Sequence, residues 1–363
     1  MILVTGGTGF IGRAVLDLLS QGRTTVLLAS RNAGDLRLGD AESLRPRSLD
    51  LLDRSQCSAA MVDVRDVIHL AGRPLGISVS RPDHEEVAMR NLVEASRASG
   101  KVRRFVYLSA SGASERSPLD WLRCKARAEK ILVDSGIGHV ILRAGLVYDV
   151  GDRFVNALGS VVRRESLITA PFFCRGSLRP ISLGDLVIAV VTALDHHRMN
   201  QSVIDVGEPE ALSLFQLLDL IACRLRKKVK VRRSMLRPTL SRKLASLENS
   251  PIDDPGAVLR WFALAEPPAI DRYDDALPMR RSRFVEKLRE YPWGMPPPRP
   301  GDPLPVIQPA NTGLPAFIVA PHLREPTEDQ SPVDRARWGR VDPFSRPLKE
   351  GSATEEEKGE GPG

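Results

Sequence analysis

Three glycines recur at every third position near the amino terminus, Gly6, Gly9 and Gly12, within the run Thr5-Gly6-Gly7-Thr8-Gly9-Phe10-Ile11-Gly12. Ile2-Leu3-Val4-Thr5 before them has the character of a short apolar strand. Arg13 to Ser20 after them sets Ala14, Val15, Leu18 and Leu19 on one helical face. A glycine turn between a strand and a helix is built to hold phosphate. The first glycine permits the tight turn, the second lets the backbone approach a diphosphate, and the third lets the helix pack closely on the strand. The first N–H groups of the helix then face the anion. Gly6, Gly9, Phe10, Ile11 and Gly12 are therefore the expected cofactor-binding residues of this turn, and the context of the triplet points to a dinucleotide.

The end of the second strand bears on which dinucleotide. An expected strand over 25–29 runs into Ser30-Arg31, with no acid before Asp35. An acid in that place holds a ribose 2′-hydroxyl, whereas a cation grips a 2′-phosphate in two-pronged fashion. Arg31 thus favours NADP(H) over NAD(H).

A parallel sheet is what would position these groups. The patterning predicts strands at 67–71, 104–109, 139–143 and 202–206. It predicts helices at 83–99, 120–134 and 183–194, and a further helix opened by the cap residue Ser213. Alternating strands and helices imply an α/β fold, with a doubly wound, mostly parallel (Rossmann) sheet. Trp261 to Leu264 and Phe284 to Leu288 read as short helical pieces of a smaller C-terminal lobe that could cap a substrate cleft. The expected division is a nucleotide-binding domain at 1–210, with substrate-lobe insertions from about 150–180, a substrate or docking lobe at 211–290, and a Pro-rich flexible tail at 291–363. Fifteen of the 28 prolines lie from Pro292 onward, and the end of the chain is rich in Glu and Gly.

Composition narrows the function classes. The chain has 363 residues, 42% hydrophobic and 27% charged, as soluble globular proteins do. Its longest apolar run, Leu186 to Leu194 with Thr192 inside it, falls far short of the ~20 residues of a membrane span. Met1 leads straight into a strand, without a leader pattern. These features give a cytoplasmic expectation, with peripheral membrane contact left open. Cys57, Cys124, Cys174 and Cys223 form no Cys-x-x-Cys pair and the six histidines are scattered, so no metal site is expected. His196-His197 is read as a cation pair at a helix end. The net charge of +7 gathers at 224–243 and 280–289, without the interleaved aromatics that would suggest nucleic acid. The alternation from Lys228 to Arg232 suits an exposed strand with an apolar inner face. Solvation, an anionic lipid surface and an acidic protein partner are the alternatives for it.

Several further stretches follow the glycine turn: Asp50-Leu51; His69-Leu70-Ala71-Gly72; Arg104-Phe105-Val106-Tyr107-Leu108-Ser109; Lys125-Ala126-Arg127-Ala128-Glu129; Leu142-Arg143-Ala144-Gly145; and Arg179-Pro180-Ile181-Ser182-Leu183-Gly184-Asp185. In order and spacing, over about residues 1–225, they resemble the extended and atypical short-chain dehydrogenase/reductase superfamily, the NAD-dependent epimerase/dehydratase-like proteins. The similarity is greatest to the branch that includes the accessory NADPH-binding subunit of respiratory complex I. The resemblance implies that Asp50 and Leu51 touch the adenine, that Ala71, Gly72 and Ser109 line the dinucleotide, that Lys125 holds the ribose, and that Ser111 stands in the catalytic Ser/Thr position.

The family's proton relay is Tyr-x-x-x-Lys, and here the matching stretch is Trp121-Leu122-Arg123-Cys124-Lys125. An indole N–H only donates and does not ionise usefully. None of Tyr107, Tyr148, Tyr273 and Tyr291 has a lysine four residues later. Ala88 falls where many extended members carry asparagine. Two readings follow. One is an NADP(H)-dependent oxidoreductase or epimerase-like enzyme acting on an unidentified small molecule, with Lys125 or Tyr148, in the loop after the sixth strand, as proton donor. The other is an accessory or assembly factor of a membrane or respiratory complex, stabilised by its nucleotide. Its stretch 224–243 would dock on a protein complex or an anionic membrane.

Overall fold

Each face of the central sheet is decided by the alternation of side chains along its strands. In β1 (Ile2–Thr5), Ile2 and Val4 point to one core and Leu3 to the other. In β2 (Val26–Ser30), Val26 and Leu28 join the first core, Leu27 and Ala29 the second. The same split separates Val106 and Leu108 from Phe105 and Tyr107 in β5 (Arg104–Ala110). Strands buried on both faces read as continuous apolar runs, which is the mark of a parallel sheet covered by helices.

The computed structural model describes residues 1–31, 43–72, 83–149, 151–195, 199–235, 239–247, 254–265 and 283–288. The chain divides into two compact units, Met1–Leu323 and Arg324–Gly363, and every described residue belongs to the first. The expected tail lies outside the described residues.

After β1 come α1 (Phe10–Ser20), β2, β3 (Leu44–Ser48), α2 (Arg54–Ala60), β4 (Asp66–His69) and α3 (His84–Ser99). Then follow β5, α4 (Asp120–Asp134), β6 (His139–Ala144), β7 (Leu146–Tyr148), α5 (Phe154–Arg164), β8 (Leu167–Pro171), β9 (Ser177–Leu178), β10 (Pro180–Ser182) and α6 (Leu183–Thr192). The order closes with β11 (Ser202–Val206), β12 (Leu212–Ser213), α7 (Leu214–Arg224), β13 (Lys230–Ser234), α8 (Leu240–Ala245), α9 (Pro255–Leu264) and α10 (Phe284–Lys287). The large sheet has the order β11-β6-β5-β4-β1-β2-β3, and all its pairings are parallel. Helices α1 and α6 cover one face; α2, α3 and α4 cover the other. This is the doubly wound arrangement, and its strand order reverses at β1, which pairs with β2 on one side and β4 on the other. Ligands bind such sheets at the carboxyl ends of the strands flanking the reversal.

A third core gathers Leu146, Tyr148, Phe154, Leu158, Leu178, Leu217, Leu218, Trp261, Phe262, Phe284 and Leu288, drawn from β7 to β9, from α5, and from α7 to just past α10. It is served by three two-stranded sheets, β7 with β10, β8 with β13, and β9 with β12. Ser213 opens α7 with a capping box: its hydroxyl accepts from Gln216 N, while the Gln216 side chain accepts from Ser213 N.

Some elements depart from the sequence reading. β3 is Leu-Arg-Pro-Arg-Ser with only Leu44 buried, so an edge strand with polar outward residues carries no apolar alternation to detect. α6 stops at Thr192, with Ala193 as its cap, two residues short of expectation; His196 and His197 lie outside the described residues. β13 begins at Lys230. Tyr148 is the last residue of β7 and not part of a loop, because Leu146–Tyr148 pairs with Pro180–Ser182. No helix among the described residues is long and apolar enough to cross a membrane.

Candidate nucleotide site at the sheet reversal

The turn between β1 and α1 has no room for side chains. Gly6 has φ +74°, and a Cβ there would lie 2.4 Å from Ala71 N and 2.6 Å from Leu70 C at the end of β4. A Cβ on Gly12 would lie 2.2 Å from Gly6 O and 2.5 Å from Gly7 Cα. Backbone, which cannot yield, is the obstacle in both places. Gly9 caps α1 in an extended conformation, offers no side chain to the helix N-terminus, and no acid stands in the first turn. The opening N–H groups of α1 therefore face outward without a resident anion, the arrangement that receives phosphate. Leu70 N donates to Thr5 O at 3.0 Å, which ties β4's end, with Ala71 and Gly72, to the cradle. These residues fit a dinucleotide diphosphate.

Arg31 directly follows β2 and is exposed. Asp50 and Leu51 follow β3: Asp50 Oδ1 accepts from Leu52 N at 3.0 Å, and Leu51 O accepts from Asn91 Nδ2 at 2.9 Å. The loop carrying the expected adenine contacts is thus fastened to α3.

At the other end of the cradle lies a buried charged cluster. Lys125 on α4 forms an ion pair with Glu85 on α3, and both are buried. Lys125 Nζ also donates to Leu108 O at 3.1 Å and sits 5.0 Å from the centroid of the Tyr107 ring. Tyr107 donates its hydroxyl to Glu85 Oε1 at 2.9 Å, and burial, aided by the Glu85 charge, pushes its phenol pKa well up. His69 stacks on Tyr107 at 5.4 Å and shares a 2.6 Å hydrogen bond with Thr5 Oγ1. Burial, with the Lys125 charge beside it, lowers His69 to about 3, so the ring is neutral. A Cβ on Gly72 would come within 2.8 Å of Lys125 Nζ and 2.9 Å of Glu85 Oε1, so this glycine stands directly against the ion pair at the strand end.

Residues 6–163 match the family model described as NAD(P)H-binding. A relative in Arabidopsis thaliana, "NADH dehydrogenase [ubiquinone] 1 alpha subcomplex subunit 9, mitochondrial", is 27% identical over 227 residues, covering 60% of this chain and 56% of that protein. "Quinone oxidoreductase 2" of Escherichia coli is 29% identical over 147 residues, covering 40% of this chain and 48% of that one. The chain therefore spans about half the length of these curated relatives. UDP-glucose 4-epimerase of Thermotoga maritima shares the fold, with a TM-score of 0.58 at 19% identity over 79% of this chain and 96% of that one. Residues 6–163 thus carry an NAD(P)H-binding domain, and the chain has the Rossmann fold that the epimerase also has.

The groups expected to handle a proton are engaged with one another and with the second lobe. Trp121, where the tyrosine would be, packs edge-on against Trp261 of α9 with ring centroids 5.2 Å apart. Trp261 in turn donates its indole N–H to Ser111 O at 3.2 Å. The Ser111 hydroxyl bonds Asp205 of β11, a carboxylate that burial raises and Arg143 lowers. Ser109 donates to Glu129, which also receives a two-pronged bond from Arg143, Nε at 2.9 Å and Nη2 at 2.5 Å. Tyr148, expected as a candidate donor, is fully buried in the third core and gives its hydroxyl to Glu208 Oε1 at 2.5 Å. Its phenol pKa is raised by burial and by Glu208, the opposite of what a proton donor near neutrality needs.

The structure thus gathers Gly6, Gly9, Phe10, Ile11, Gly12, Ala71, Gly72, Ser109 and Lys125 around the strand ends beside the reversal. Tyr148 is set in another core. Sequence reasoning missed Glu85, Asp205 and Glu208, and named Glu129 and Trp261 only within a longer stretch and without a role. On α3 the residue that reaches Lys125 is Glu85, one turn before Ala88. Glu129 alone carried a local signal, one helical turn beyond Lys125.

Proposed function

We propose that the chain binds NADP(H) across the β1–β4 reversal and acts as an oxidoreductase on an acceptor that needs no tyrosine as proton donor. The observation that carries this reading is the glycine cradle, where Gly6 and Gly12 leave no space for a Cβ and α1 opens toward the solvent without a capping side chain. Arg31 supports the 2′-phosphate form. Asp50 and Leu51 would meet the adenine, Ala71, Gly72 and Ser109 the middle of the nucleotide, and Lys125 the ribose, exchanging Glu85 for sugar hydroxyls. When bound, the nucleotide supplies a hydride. A ketone acceptor ends as a strongly basic alkoxide and requires an acid at hand. A quinone ends as a phenolate, whose conjugate acid titrates near about 10, as tyrosine does, and which takes its proton from water. Trp121 in the donor position fits the second kind, and similarity to a quinone oxidoreductase supports it. Residues 211–290 would form the lobe over the acceptor.

A second reading is favoured by a specific observation. The Trp121–Trp261 pair and the Glu85–Lys125 pair make the site look permanently furnished. Nucleotide would then stabilise an accessory subunit of a larger complex, as similarity to a plant complex I subunit suggests. The basic segment 224–243 would face an anionic surface of protein or lipid.

One experiment separates the readings. Nucleotide released from freshly purified protein is identified, the stripped protein is titrated with NADPH and NADH, and NADPH oxidation is followed with quinones, aldehydes and ketones. Oxidation by quinones alone supports the first reading, and tight uptake without turnover supports the second. Absence of any uptake removes both.

A further inference from the structure

β8 and β13 form an isolated parallel ribbon, in register from Leu167↔Lys230 to Pro171↔Ser234. Because the strands run the same way and end together, the chain leaves both at one tip. Phe172 N donates to Ser234 O at 3.1 Å and holds the two exits side by side. Tight turns follow on the β8 side, with Cys174 N bonded to Pro171 O and Arg175 N to Phe173 O. What emerges at this tip is apolar and exposed: Phe172 at 37%, Phe173 at 53% and Met235 at 79%. Large apolar side chains gathered in water on one tip mark a contact surface.

The charges along this ribbon and just past its exit have one sign. Arg175 lays its guanidinium over the Phe172 ring, 4.2 Å from the centroid. Arg233 does the same over Phe215 at 4.7 Å. Lys230, Arg232 and Arg233 are all exposed along β13. Among the described residues no carboxylate forms an ion pair with any of these four cations. Further down, Lys227 Nζ is bonded to Arg163 O at the end of α5, so the basic face continues along one side of the lobe.

We propose that this tip inserts into the headgroup boundary of an anionic lipid bilayer, with Phe173 and Met235 entering the acyl edge and Arg175, Arg232 and Arg233 resting on lipid phosphates. The proposal rests on the reading of 224–243 as a segment that meets an anionic surface, and it narrows that surface to lipid. Phenyl and thioether groups carry no donor to read a base or match a protein carboxylate. They gain by leaving water for hydrocarbon. Arginine stacked on an aromatic ring keeps its charge at the polar level while the ring goes deeper.

The test is flotation of the full chain with vesicles of phosphatidylcholine alone or with added phosphatidylglycerol, at low and high salt. Wild type floats with the anionic vesicles only, and salt weakens it. Arg232→Glu/Arg233→Glu lowers the partition about tenfold or more, since each basic residue near such a surface contributes a factor of about five. Phe173→Ser/Met235→Ser lowers it by a similar factor and does so equally at both salts. All four substituted side chains are exposed and away from the glycine cradle, so NADPH titration of the variants serves as the control for folding. Salt-sensitive flotation undiminished in Phe173→Ser/Met235→Ser overturns insertion and leaves only electrostatic attraction. Failure of wild type to float with anionic vesicles, or its capture by single-stranded DNA or an acidic protein in preference to them, overturns the lipid assignment as well.

Discussion

The indole of Trp121 stands edge-on to that of Trp261, with their planes at 86°. A residue in the proton-donor position is thereby tied to a helix of the second lobe, and that helix reaches back through Trp261 to Ser111 O. Trp261→Ala should destabilise the protein by about 3–5 kcal/mol, through loss of a buried ring. Trp261→Phe should cost less, retaining the ring contact but losing about 1 kcal/mol with the hydrogen bond. Urea unfolding of the two variants measures both quantities.

Restoring the phenol alone should not restore carbonyl chemistry. In Trp121→Tyr the new hydroxyl stands one helical turn from Lys125, but that ammonium remains committed to Glu85. Trp121→Tyr should reduce aldehydes no faster than wild type. Trp121→Tyr/Glu85→Gln, which keeps an acceptor but removes the charge, should be faster by about a hundredfold. Steady-state NADPH oxidation with an aldehyde decides the matter; equal rates in the two variants would show that Glu85 does not restrain Lys125.

The same buried pair should be visible in stability. Lys125→Met or Glu85→Leu strands one charge away from water and should each cost about 3–5 kcal/mol. The double variant removes both charges and should lose clearly less than the sum. A double-mutant cycle by chemical denaturation gives the coupling.

Nucleotide selection should divide between two positions. A methyl group at Gly9 would sit 3.3 Å from Gly6 O, tolerable for the fold but in the way of a diphosphate. Gly9→Ala should therefore weaken NADPH and NADH alike. Arg31→Asp should weaken NADPH by about ten- to a hundredfold, the worth of charge-assisted hydrogen bonds, and leave NADH no weaker. Calorimetric titration with both nucleotides tells the two effects apart.

Asp152 gives a pH dependence with a definite sign. It is buried ahead of α5, accepts from Val155 N at 2.7 Å through Oδ1, and burial raises its pKa to about 8 from 3.8. Between those values the folded chain holds a proton that the unfolded chain releases. Stability is therefore highest at the acid side of this window and falls as pH rises through it, by up to about 1.4 kcal/mol per pH unit. Glu208, raised by burial to about 7, adds in the same direction. Asp152→Asn keeps the Oδ1 acceptor and sheds the charge. Denaturation across mildly acidic to alkaline pH should show a shallower slope for the variant and greater stability at the alkaline end.

The parallel sheet and the glycine turn were legible because their causes are local. A strand buried on both faces announces itself in a handful of residues, and Gly6, Gly9 and Gly12 are needed where backbone meets backbone. The arrangement around Lys125 was not legible. Glu85 stands in the first turn of α3, forty residues from its partner, and nothing in its neighbourhood distinguishes it from any acid near a helix start. Trp261 bonds a carbonyl 150 residues away. Tyr148 looked available as a donor because sequence alone does not reveal burial beside Glu208. β3, with Pro46 and two arginines, lacked the pattern that β1 and β5 display so plainly.

The outermost strand of the sheet has a consequence for dissection of the chain. β6 ends at Ala144, but its outer neighbour β11 begins only at Ser202, and between them the chain builds much of the third core. A fragment ending soon after β6 would expose Val140, Ile141 and Leu142 along a bare hydrogen-bonding edge, an invitation to self-association. The cofactor-binding half is therefore not a detachable module. A ribosome must release the polypeptide well past residue 206 before the sheet can close, and truncations short of that point should accumulate as aggregates.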